Sequence, residues 1–527
     1  MTSDLPGQTR VSRVPQRAPV GTVVVALLAA AVTVAGGLST RHVSVPSHAS
    51  QIDASEVNAS QVNVVGATAV CPDLRQVRHF GVLSRVSVGA APLSGVATAG
   101  VAPAPGSGSV QAHPNGAPTT TQVLPVQAAG QVAVGLGTTL DSDALVVAAR
   151  GPLSAGLEAE QVTRAETGRN RGLAGLRCDA PRTEAWFVGG GTTVLDETTL
   201  VLVNVDDTPA TVDVSVFTSS GPADQRQGQG IAIAPHSRVL VAMDTLAPDR
   251  RLLTVHVHSR RGRVAAGLRQ SQLSGTTPLG VDWIPQSVPP ATSVTVPGVP
   301  AIVGSGNRTL IVSNPGTDDT VVSVQLTTSD GQFVPAGLDQ VSVRAGTSVG
   351  VSLDAPAATS QLGVRVSSQG DPVLASVFVR DAQGGPLREF AYTTGSLPLS
   401  GPALLTDLVL NRPTESTLLL TAPDSDATVT VSPIRVLGTA GSLPAAKTIR
   451  VPGGRTVALK LSTFYPPSTQ IQLAVEVRPL AGSGPVYAAR YLRERGAHGP
   501  LTTLLDLQGP SQTVTRPAVV QDPRIGS

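Results

Sequence analysis

Two stretches of the sequence decide the fold: LVLVNVDDTPATVDVSVFTSSG at residues 200–221 and LIVSNPGTDDTVVSVQLTTSDG at residues 310–331. Apolar and polar residues alternate in each stretch, which is typical of a β-strand with one buried face and one face in water. Asn204 and Asn314 occupy the same place in the two stretches, 110 positions apart, where a strand runs into a turn that an Asn side chain can cap. The pattern predicts a repeated unit made of short antiparallel strands.

The same pattern extends over most of the chain and sets the predicted fold class. Residues 254–270, 363–379 and 474–490 align as a further set of repeated hairpins, and a related hairpin occurs at 146–161. We therefore expect an all-β protein of tandem immunoglobulin-like antiparallel β-sandwich units, which follow one N-terminal transmembrane helix. The predicted β units 1 to 4 cover residues 62–165, 166–289, 290–402 and 403–508.

Two segments are predicted to lack fixed structure. Residues 90–121, inside unit 1, are rich in Gly, Ala, Pro, Ser and Thr and predict a long mobile loop. Residues 509–527 are Pro-rich and polar and predict a flexible tail.

The N-terminus predicts export from the cytoplasm. No charged residue occurs between Ala18 and Thr40, and this stretch is long enough for a helix to cross the bilayer. Three arginines precede it, so we expect residues 1–19 to be a cytoplasmic tail, 20–40 a single-pass membrane anchor and 41–61 a linker. The alternative is a cleaved signal peptide, which leads to a secreted protein. Under either interpretation the bulk of the chain lies outside the cytoplasm.

The only two cysteines, Cys71 and Cys178, are expected to form a disulfide. Exported proteins fold in an oxidising compartment, and an even number of cysteines favours pairing. The alternative is a pair of buried free thiols. A metal site at the cysteines is not expected, because no second Cys or His lies beside either one.

Arginines and two histidines cluster where acidic residues are absent, between Arg250 and Gly280. The arginines could bind an anionic polymer or lipid headgroups, and the alternative is a solvated sheet edge that resists pairing. His256 and His258 lie on one side of a predicted strand, but no third metal ligand is identifiable, so no metal and no cofactor are expected. The possible anionic-ligand patch consists of Arg250, Arg251, Arg260, Arg261, Arg263 and Arg269.

No motif predicts a catalytic site. Gly346–Gly350 matches the GxSxG pattern of a nucleophile elbow, but a strand pattern follows it where an elbow needs a helix, so we expect a turn. The acidic pairs Asp206-Asp207 and Asp318-Asp319 are the nearest candidates for glycan hydrolysis, and both lie in predicted turns. The formal net charge of +2 and the aromatic content of 2% argue against nucleic-acid binding.

Several short motifs resemble those of a family of actinobacterial envelope proteins of unknown function. They are the N-terminal anchor, Cys71-Pro72, Cys178-Asp-Ala-Pro181, Trp186-Phe187, GVDWIP at 280–285 and Asn314-Pro-Gly316. The resemblance implies an anchored, β-rich, extracytoplasmic protein without an assigned activity. It also implies a link to surface polysaccharide, because genes of this family tend to lie near a large membrane glycosyltransferase. Unit 4 departs from the motif, with Ala422-Pro423-Asp424 in place of Asn-Pro-Gly.

Taken together, the sequence predicts a non-catalytic, membrane-anchored scaffold or accessory protein of the cell envelope. A rod of four stacked units would hold a binding surface away from the membrane, for an envelope protein or polysaccharide. The first alternative is a glycan- or anionic-polymer-binding module that uses the arginine patch and Trp283. The second is an envelope glycan hydrolase or transferase. No nucleic-acid partner is expected.

Overall fold

A computed structural model describes residues 60–72, 82–93, 108–117, 123–136, 143–302, 305–354, 359–382, 385–408, 414–465, 472–509 and 513–516. The described chain is mostly β-strand, which confirms the all-β prediction. Residues Gln61–Arg516 form one compact unit. The predicted tail 1–19, the predicted anchor 20–40 and most of the predicted linker 41–61 lie outside the described residues.

The strands form pairs of antiparallel sheets that follow one another along the chain, here called sheet pairs 1 to 4. Pair 1 contains β2 (Gly66–Cys71), β3 (Val82–Ala90), β4 (Ser109–Pro114), β5 (Val123–Val126), β6 (Gln131–Leu136), β7 (Leu145–Arg150), β8 (Leu157–Ala165) and β9 (Gly172–Arg177). Pair 2 contains β10 (Glu184–Val188), β11 (Asp196–Val203), β12 (Ala210–Thr218), β13 (Gly221–Pro222), β14 (Ile231–Ile233), β15 (Arg238–Ala242), β16 (Leu253–Arg261), β17 (Ala265–Ser274), β18 (Thr277–Ile284) and β19 (Gln286–Ser287).

The second half of the chain repeats this arrangement. Pair 3 contains β20 (Ser293–Val299), β21 (Asn307–Asn314), β22 (Thr320–Thr327), β23 (Gln332–Phe333), β24 (Val341–Val343), β25 (Thr347–Ser352), β26 (Leu362–Ser368), β27 (Leu374–Asp381) and β28 (Glu389–Thr394). Pair 4 contains β29 (Ala403–Leu408), β30 (Thr414–Ala422), β31 (Ala427–Arg435), β32 (Lys447–Val451), β33 (Arg455–Lys460), β34 (Leu473–Pro479), β35 (Tyr487–Gly496) and β36 (Gly499–Leu507). The boundaries predicted for the four units stay a prediction.

One strand order recurs in all four pairs. In pair 1 the sheets run β2-β7-β4-β5 and β6-β3-β8-β9, and in pair 4 they run β29-β34-β31-β32 and β33-β30-β35-β36. Pairs 2 and 3 keep the same order, with short strands (β13 and β14, or β23 and β24) at one edge and, in pair 2, β19 paired with β10 at the other edge. A single parallel contact of Thr218 with Thr347 links the two pairs. Each pair encloses an apolar core between its two sheets, and the core of pair 2 continues into pair 3 through Ile311, Leu374, Phe390 and Tyr392.

The stretches that predicted the fold form equivalent hairpins. Buried and partly exposed residues alternate along β12 and along β22, as expected from the sequence. The Nδ2 amide of Asn204 donates to the carbonyl of Thr208 at 2.8 Å, and that of Asn314 donates to Asp318 at 2.7 Å. These contacts confirm that both asparagines cap turns.

The predicted rod is wrong, because the four sheet pairs close around a common centre. The last long strands of the pairs meet there: β9 packs against β18 and β36, and β28 packs against the same two strands. Sheet pairs 1 and 4, at opposite ends of the described chain, are therefore neighbours. In a rod they would be separated by the two other pairs.

Polar contacts seal the junction between pairs 1 and 4. Arg85 lies 2.7 Å from Asp407, and the hydroxyls of Ser87 and Thr406 are 2.6 Å apart. Thr406 also donates to Glu160 at 2.9 Å. Buried polar groups of this kind need matched partners, so these contacts specify which sheets pack together. No sequence pattern indicated them, because the residues lie more than 200 positions apart.

Helices are few and short in the described chain. They are α1 (Met243–Leu246), α2 (Leu461–Phe464) and two 3₁₀ turns at Gly151–Gly156 and Gln225–Gly228. Within the described residues, none of the helices has the length and apolar character needed to cross a bilayer.

The two segments predicted to lack structure are partly ordered. Within the predicted loop 90–121, β4 pairs with β5 and β7, and its residues Val110 and Ala112 are fully buried. Residues 94–107 and 118–121 lie outside the described part. In the predicted tail 509–527, β37 (Thr513–Arg516) pairs with β1 (Ser60–Asn63). In both cases pairing with a distant strand supplies the backbone hydrogen bonds that local composition does not reveal.

The predicted disulfide between Cys71 and Cys178 is present, with an S–S distance of 2.00 Å and a Cα–Cα distance of 4.6 Å. It connects the end of β2 to the residue that follows β9. Both cysteines are buried in the core of sheet pair 1.

Candidate functional site

A cleft of about 350 Å³ lies where sheet pairs 3 and 4 meet. Side chains alternate between the two faces of a strand, so every second residue of a strand in pair 4 faces the cleft. Register places Thr417 opposite both Lys460 and Tyr491, and Glu415 opposite Arg493. These five residues therefore share one sheet face.

Sheet pair 3 supplies the opposite wall of the cleft. Asp381, the last residue of β27, accepts a hydrogen bond from Arg493 Nε at 2.7 Å and one from the Tyr491 hydroxyl at 3.3 Å. On the other side, Lys460 Nζ lies 2.9 Å from a carboxylate oxygen of Glu415. Each acid of the cleft is thus paired with a base. Apolar residues complete the lining, among them Ile302, Val379 and Leu419.

The electrostatics of the cleft favour a polar ligand without a large net charge. Burial raises the pKa of Tyr491 well above its usual value, and the charge of Asp381 adds to the rise. The phenol is therefore a neutral hydrogen-bond donor at physiological pH. Paired cations and anions, with an apolar floor, match a ligand that carries hydroxyl groups on an apolar ring or chain.

The sequence analysis missed this cleft. Its residues come from three strands of pair 4, one strand of pair 3 and the segments that follow β20 and precede β26, and only the packing of the two pairs brings them together. A partial signal exists in β35, where Tyr491 and Arg493 alternate with buried residues and so share a face.

The structure does not assemble the six arginines into one patch. Arg250 and Arg251 precede β16, whereas Arg260 and Arg261 end it, about 30 Å away at about 3.3 Å per residue. Arg269 lies on β17, in the other sheet of the pair, and donates to Asn170 at 2.9 Å.

Acidic residues on β12 and in the turn before it also neutralise part of the predicted patch. Arg260 Nε lies 2.5 Å from Asp213, and Arg263 forms two hydrogen bonds with Asp206, at 2.9 and 3.0 Å. The sequence window between Arg250 and Gly280 contains no acid, but β12 and the turn before it bring these two carboxylates alongside.

Both tryptophans are buried. Trp283 is 2% exposed and cannot stack on a glycan, which removes it from the predicted binding site. Trp186, 9% exposed, stacks on the imidazole of His256 with 3.8 Å between ring centroids.

The histidines acquire a third potential metal ligand that the sequence did not reveal. β10 pairs with β16 so that Glu184 lies opposite His258. One ligand atom each of Glu184, His256 and His258 lies within 4.8 Å of the other two. Burial lowers the pKa of His256, so its ring is neutral at physiological pH.

The GxSxG motif and the acidic pairs have structural roles. Ser348 is fully buried on β25, and its hydroxyl donates to Ser313 at 3.0 Å, so the motif lies in a strand and its turn as predicted. Asp207 contacts His236 at 2.7 Å, and Asp319 accepts from the backbone N–H of Ala345 at 2.9 Å.

A fully buried carboxyl group with a raised pKa lies at the centre where the four sheet pairs meet. Asp282 accepts hydrogen bonds from the N–H of Gly175 at 3.3 Å, the hydroxyl of Thr503 at 2.8 Å and the N–H of Tyr392 at 3.3 Å. One carboxyl group on β18 thereby contacts the last strands of the three other sheet pairs. Burial raises its pKa well above the usual value.

A buried contact between Arg171 and Glu389 lies beside Asp282. Arg171 Nη2 donates to the carbonyl of Pro500 at 2.9 Å, and Arg171 Nη1 lies 3.9 Å from Glu389, which accepts from the N–H of Val281 at 2.9 Å. Burial raises the pKa of Glu389 well above the usual value, although the charge of Arg171 opposes the rise. These groups hold strands together and are inaccessible to a substrate.

No curated protein matches the chain. A family model described as "Family of unknown function (DUF5719)" matches residues 132–462, which span sheet pairs 2 and 3 and parts of pairs 1 and 4. Since the match covers more than half of the sequence, the chain belongs to this family of unknown function.

Proposed function

We propose that the protein is a non-catalytic scaffold or accessory protein of the cell envelope, held outside the cytoplasm by a membrane anchor at residues 20–40. Its body consists of immunoglobulin-like sandwiches within the boundaries 62–165, 166–289, 290–402 and 403–508. The observation that carries the proposal is the closure of the four sheet pairs around Asp282, which makes Gln61–Arg516 one body with fixed outer surfaces.

The burial of the central carboxyl groups supports a binding role and not a catalytic one. Carboxyl groups with strongly shifted pKa values commonly mark active sites. Here Asp282 and Glu389 are fully buried, and their oxygens accept hydrogen bonds from backbone N–H groups. In this protein the shifted groups stabilise packing. The exposed surface carries acids and bases that are paired with one another, such as Asp206 with Arg263.

The disulfide supports a location outside the cytoplasm. Cys71 and Cys178 are bonded within the buried core of pair 1. Disulfides of this structural kind form and persist in oxidising compartments. A link to surface polysaccharide assembly is part of the proposal and rests on the sequence resemblance.

In-cell photo-crosslinking tests the scaffold proposal. A photoreactive amino acid is placed at Val194, Leu240 or Leu397, which are 99%, 53% and 63% exposed, and at fully buried Leu200 as the control. The proposal predicts discrete adducts with envelope proteins or polymers from at least one exposed position, and intramolecular products alone from Leu200. Adducts with cytoplasmic proteins, or none at any exposed position, would contradict it.

The cleft between pairs 3 and 4 favours a second candidate function, the binding of an envelope glycan. Its neutral charge balance and its donors suit hydroxyl-bearing sugars, and predict weak salt dependence. An Ala458→Tyr variant fills the cleft without changing its charge. Titration with purified envelope glycan should show loss of binding in this variant, and full binding after replacement of Arg260, Arg261 and Arg263 by Ala. The reverse result would assign binding to the arginines.

A further inference from the structure

The strand face that carries His256 and His258 holds a third group with metal-binding chemistry. Adjacent antiparallel residues have Cβ atoms about 4.5–5.5 Å apart, and Glu184 is the direct partner of His258. Nδ1 of His258 lies 3.4 Å from Oε1 of Glu184. His256 follows on the same face, because it lies two residues before His258 on one strand.

The distances suit a small divalent cation. Zinc bonds to His nitrogen and carboxylate oxygen are about 2.0–2.2 Å, so ligand atoms on one tetrahedral zinc ion lie about 3.3–3.6 Å apart. The Glu184–His258 distance of 3.4 Å already has this value. The third ligand atom lies within 4.8 Å of the other two, a gap that a small rotation of a side chain closes.

The surroundings of His256 orient its ring for binding a metal ion. Its ring stacks on Trp186 with an interplanar angle of 7°, which fixes its orientation. Its Nε2 atom is buried and has no hydrogen-bond partner among the described residues. Buried polar atoms without a partner are uncommon in folded proteins, and a bound cation satisfies this one.

The surroundings accommodate positive charge. Asp213 lies opposite His258 on the other neighbouring strand, β12, and Ser215 lies opposite His256. Arg260 and the N–H of Gly230 hold the Asp213 carboxylate in place, so a negative charge stays beside the site. Glu184 and His258 are about half exposed, which leaves access for an ion and an open coordination position.

Sheet pairs 3 and 4 have no histidine at the corresponding positions. In the repeat, Arg365 and Ser367 occupy the positions of His256 and His258 in pair 3, and Glu476 and Arg478 occupy them in pair 4. The strand face folds with entirely different side chains, so the fold does not require the histidines. We propose that Glu184, His256 and His258 form a zinc site on the outer face of sheet pair 2, with a fourth position open to water or to a ligand from a partner.

Metal titration of the purified full-length chain tests the proposal. Calorimetry with Zn²⁺ should give one site per chain, and Co²⁺ should produce the intense visible absorption of a tetrahedral complex. Loss of a group that merely supports a ligand weakens metal sites by about 10–100-fold, so His256→Ala, His258→Ala and Glu184→Gln should each weaken binding at least about tenfold. The matched control is His236→Ala, which removes an exposed imidazole that contacts Asp207.

Melting temperatures measured with and without Zn²⁺ test the site even if a variant is less stable than the wild type. At a fixed Zn²⁺ concentration, the melting temperature of the wild type and of His236→Ala should rise by the same amount, and that of the three ligand variants should rise clearly less. The proposal is overturned if the wild type binds no Zn²⁺. It is equally overturned if the ligand variants bind Zn²⁺ as the wild type does, which would place the ion elsewhere on the chain.

Discussion

Replacement of Asp282 by Asn probes the centre at which the four sheet pairs meet. Both carboxyl oxygens of Asp282 accept hydrogen bonds, Oδ1 from Gly175 and Thr503 and Oδ2 from Tyr392. Either oxygen can accept whether the carboxyl group is ionised or protonated, whereas the Asn amide nitrogen cannot accept at all. In each orientation of the amide, at least one buried backbone N–H therefore faces another donor.

The expected loss of stability follows from the hydrogen bond that Asp282→Asn removes and the donor that it leaves unsatisfied. A lost hydrogen bond contributes about 0.5–1.5 kcal/mol and an unsatisfied buried donor about 1–3 kcal/mol, which gives a destabilisation of about 2–4 kcal/mol. The entropy of unfolding at the melting temperature is about 2.1 cal/mol/K per residue, or roughly 1 kcal/mol/K for a body the size of Gln61–Arg516. The melting temperature should then fall by about 2–4 °C if this body unfolds in one transition.

Calorimetry and urea denaturation of the wild type and variant measure the change. Asp339→Asn, at an exposed position, is the control and should alter the free energy of unfolding by less than about 0.5 kcal/mol. Thr503→Val removes one donor to Asp282 from β36, so the double variant should show a coupling energy of about 0.5 kcal/mol or more. If Asp282→Asn is as stable as the wild type, or if the two sites are additive, the described centre is refuted.

Three further changes test other parts of the structure. Glu389 has a folded-state pKa raised by burial, so the folded protein binds a proton that the unfolded chain releases above about pH 4, and its contribution to stability falls as the pH rises. Glu389→Gln should therefore gain stability relative to the wild type as the pH rises above about 4, as followed by melting temperature, and a difference that does not change with pH would contradict this. Cys71→Ser with Cys178→Ser should lower the free energy of unfolding by up to about 4–5 kcal/mol, because the bond closes a loop of more than 100 residues; an unchanged urea midpoint would show that the bond is absent. Gly280→Ala places a Cβ atom 2.2 Å from Oε1 of Glu389 at a φ of +122°, so we expect a loss of more than about 1–3 kcal/mol, and a melt like that of the wild type would show that β18 and β28 are farther apart.

The strands and the disulfide were predictable because their signals are local or chemically unambiguous. β12 and β22 alternate as half-buried strands do, and Asn204 and Asn314 cap equivalent turns. Only two cysteines exist, which leaves one intramolecular pairing. The strands and the Asn caps depend on residues close in sequence, and the disulfide depends on the number of cysteines. Tertiary contacts do not override either signal.

The arrangement of the four sheet pairs was not predictable from the same patterns. β28 is buried along its whole length, with burial on both faces, which is a departure from alternation and a sign of a second contact surface. The sequence does not reveal what covers that face. A prediction of a rod followed from treating each unit as self-contained, whereas buried groups such as Asp282 and Glu389 require partners from other units.

The candidate sites depend on strand register, which local sequence patterns do not determine. Glu184 lies 72 positions before His256, and only the antiparallel pairing of β10 with β16 places it beside the histidines. The predicted arginine patch shows the opposite: its residues are close in sequence but far apart in the fold. Residues close in sequence are separated by the length of β16, and Asp206 and Asp213 pair with two of them.

An engineered disulfide between sheet pairs 1 and 4 tests the central claim that the pairs close around one centre. The hydroxyl oxygens of Ser87 and Thr406 are 2.6 Å apart, so sulfur atoms in a Ser87→Cys, Thr406→Cys variant come within bonding distance. Peptide mapping of the purified oxidised protein should find the two introduced cysteines joined to each other, beside the native Cys71–Cys178 bond. A variant that melts like the wild type but keeps both new thiols reduced would contradict the closed arrangement and restore the rod.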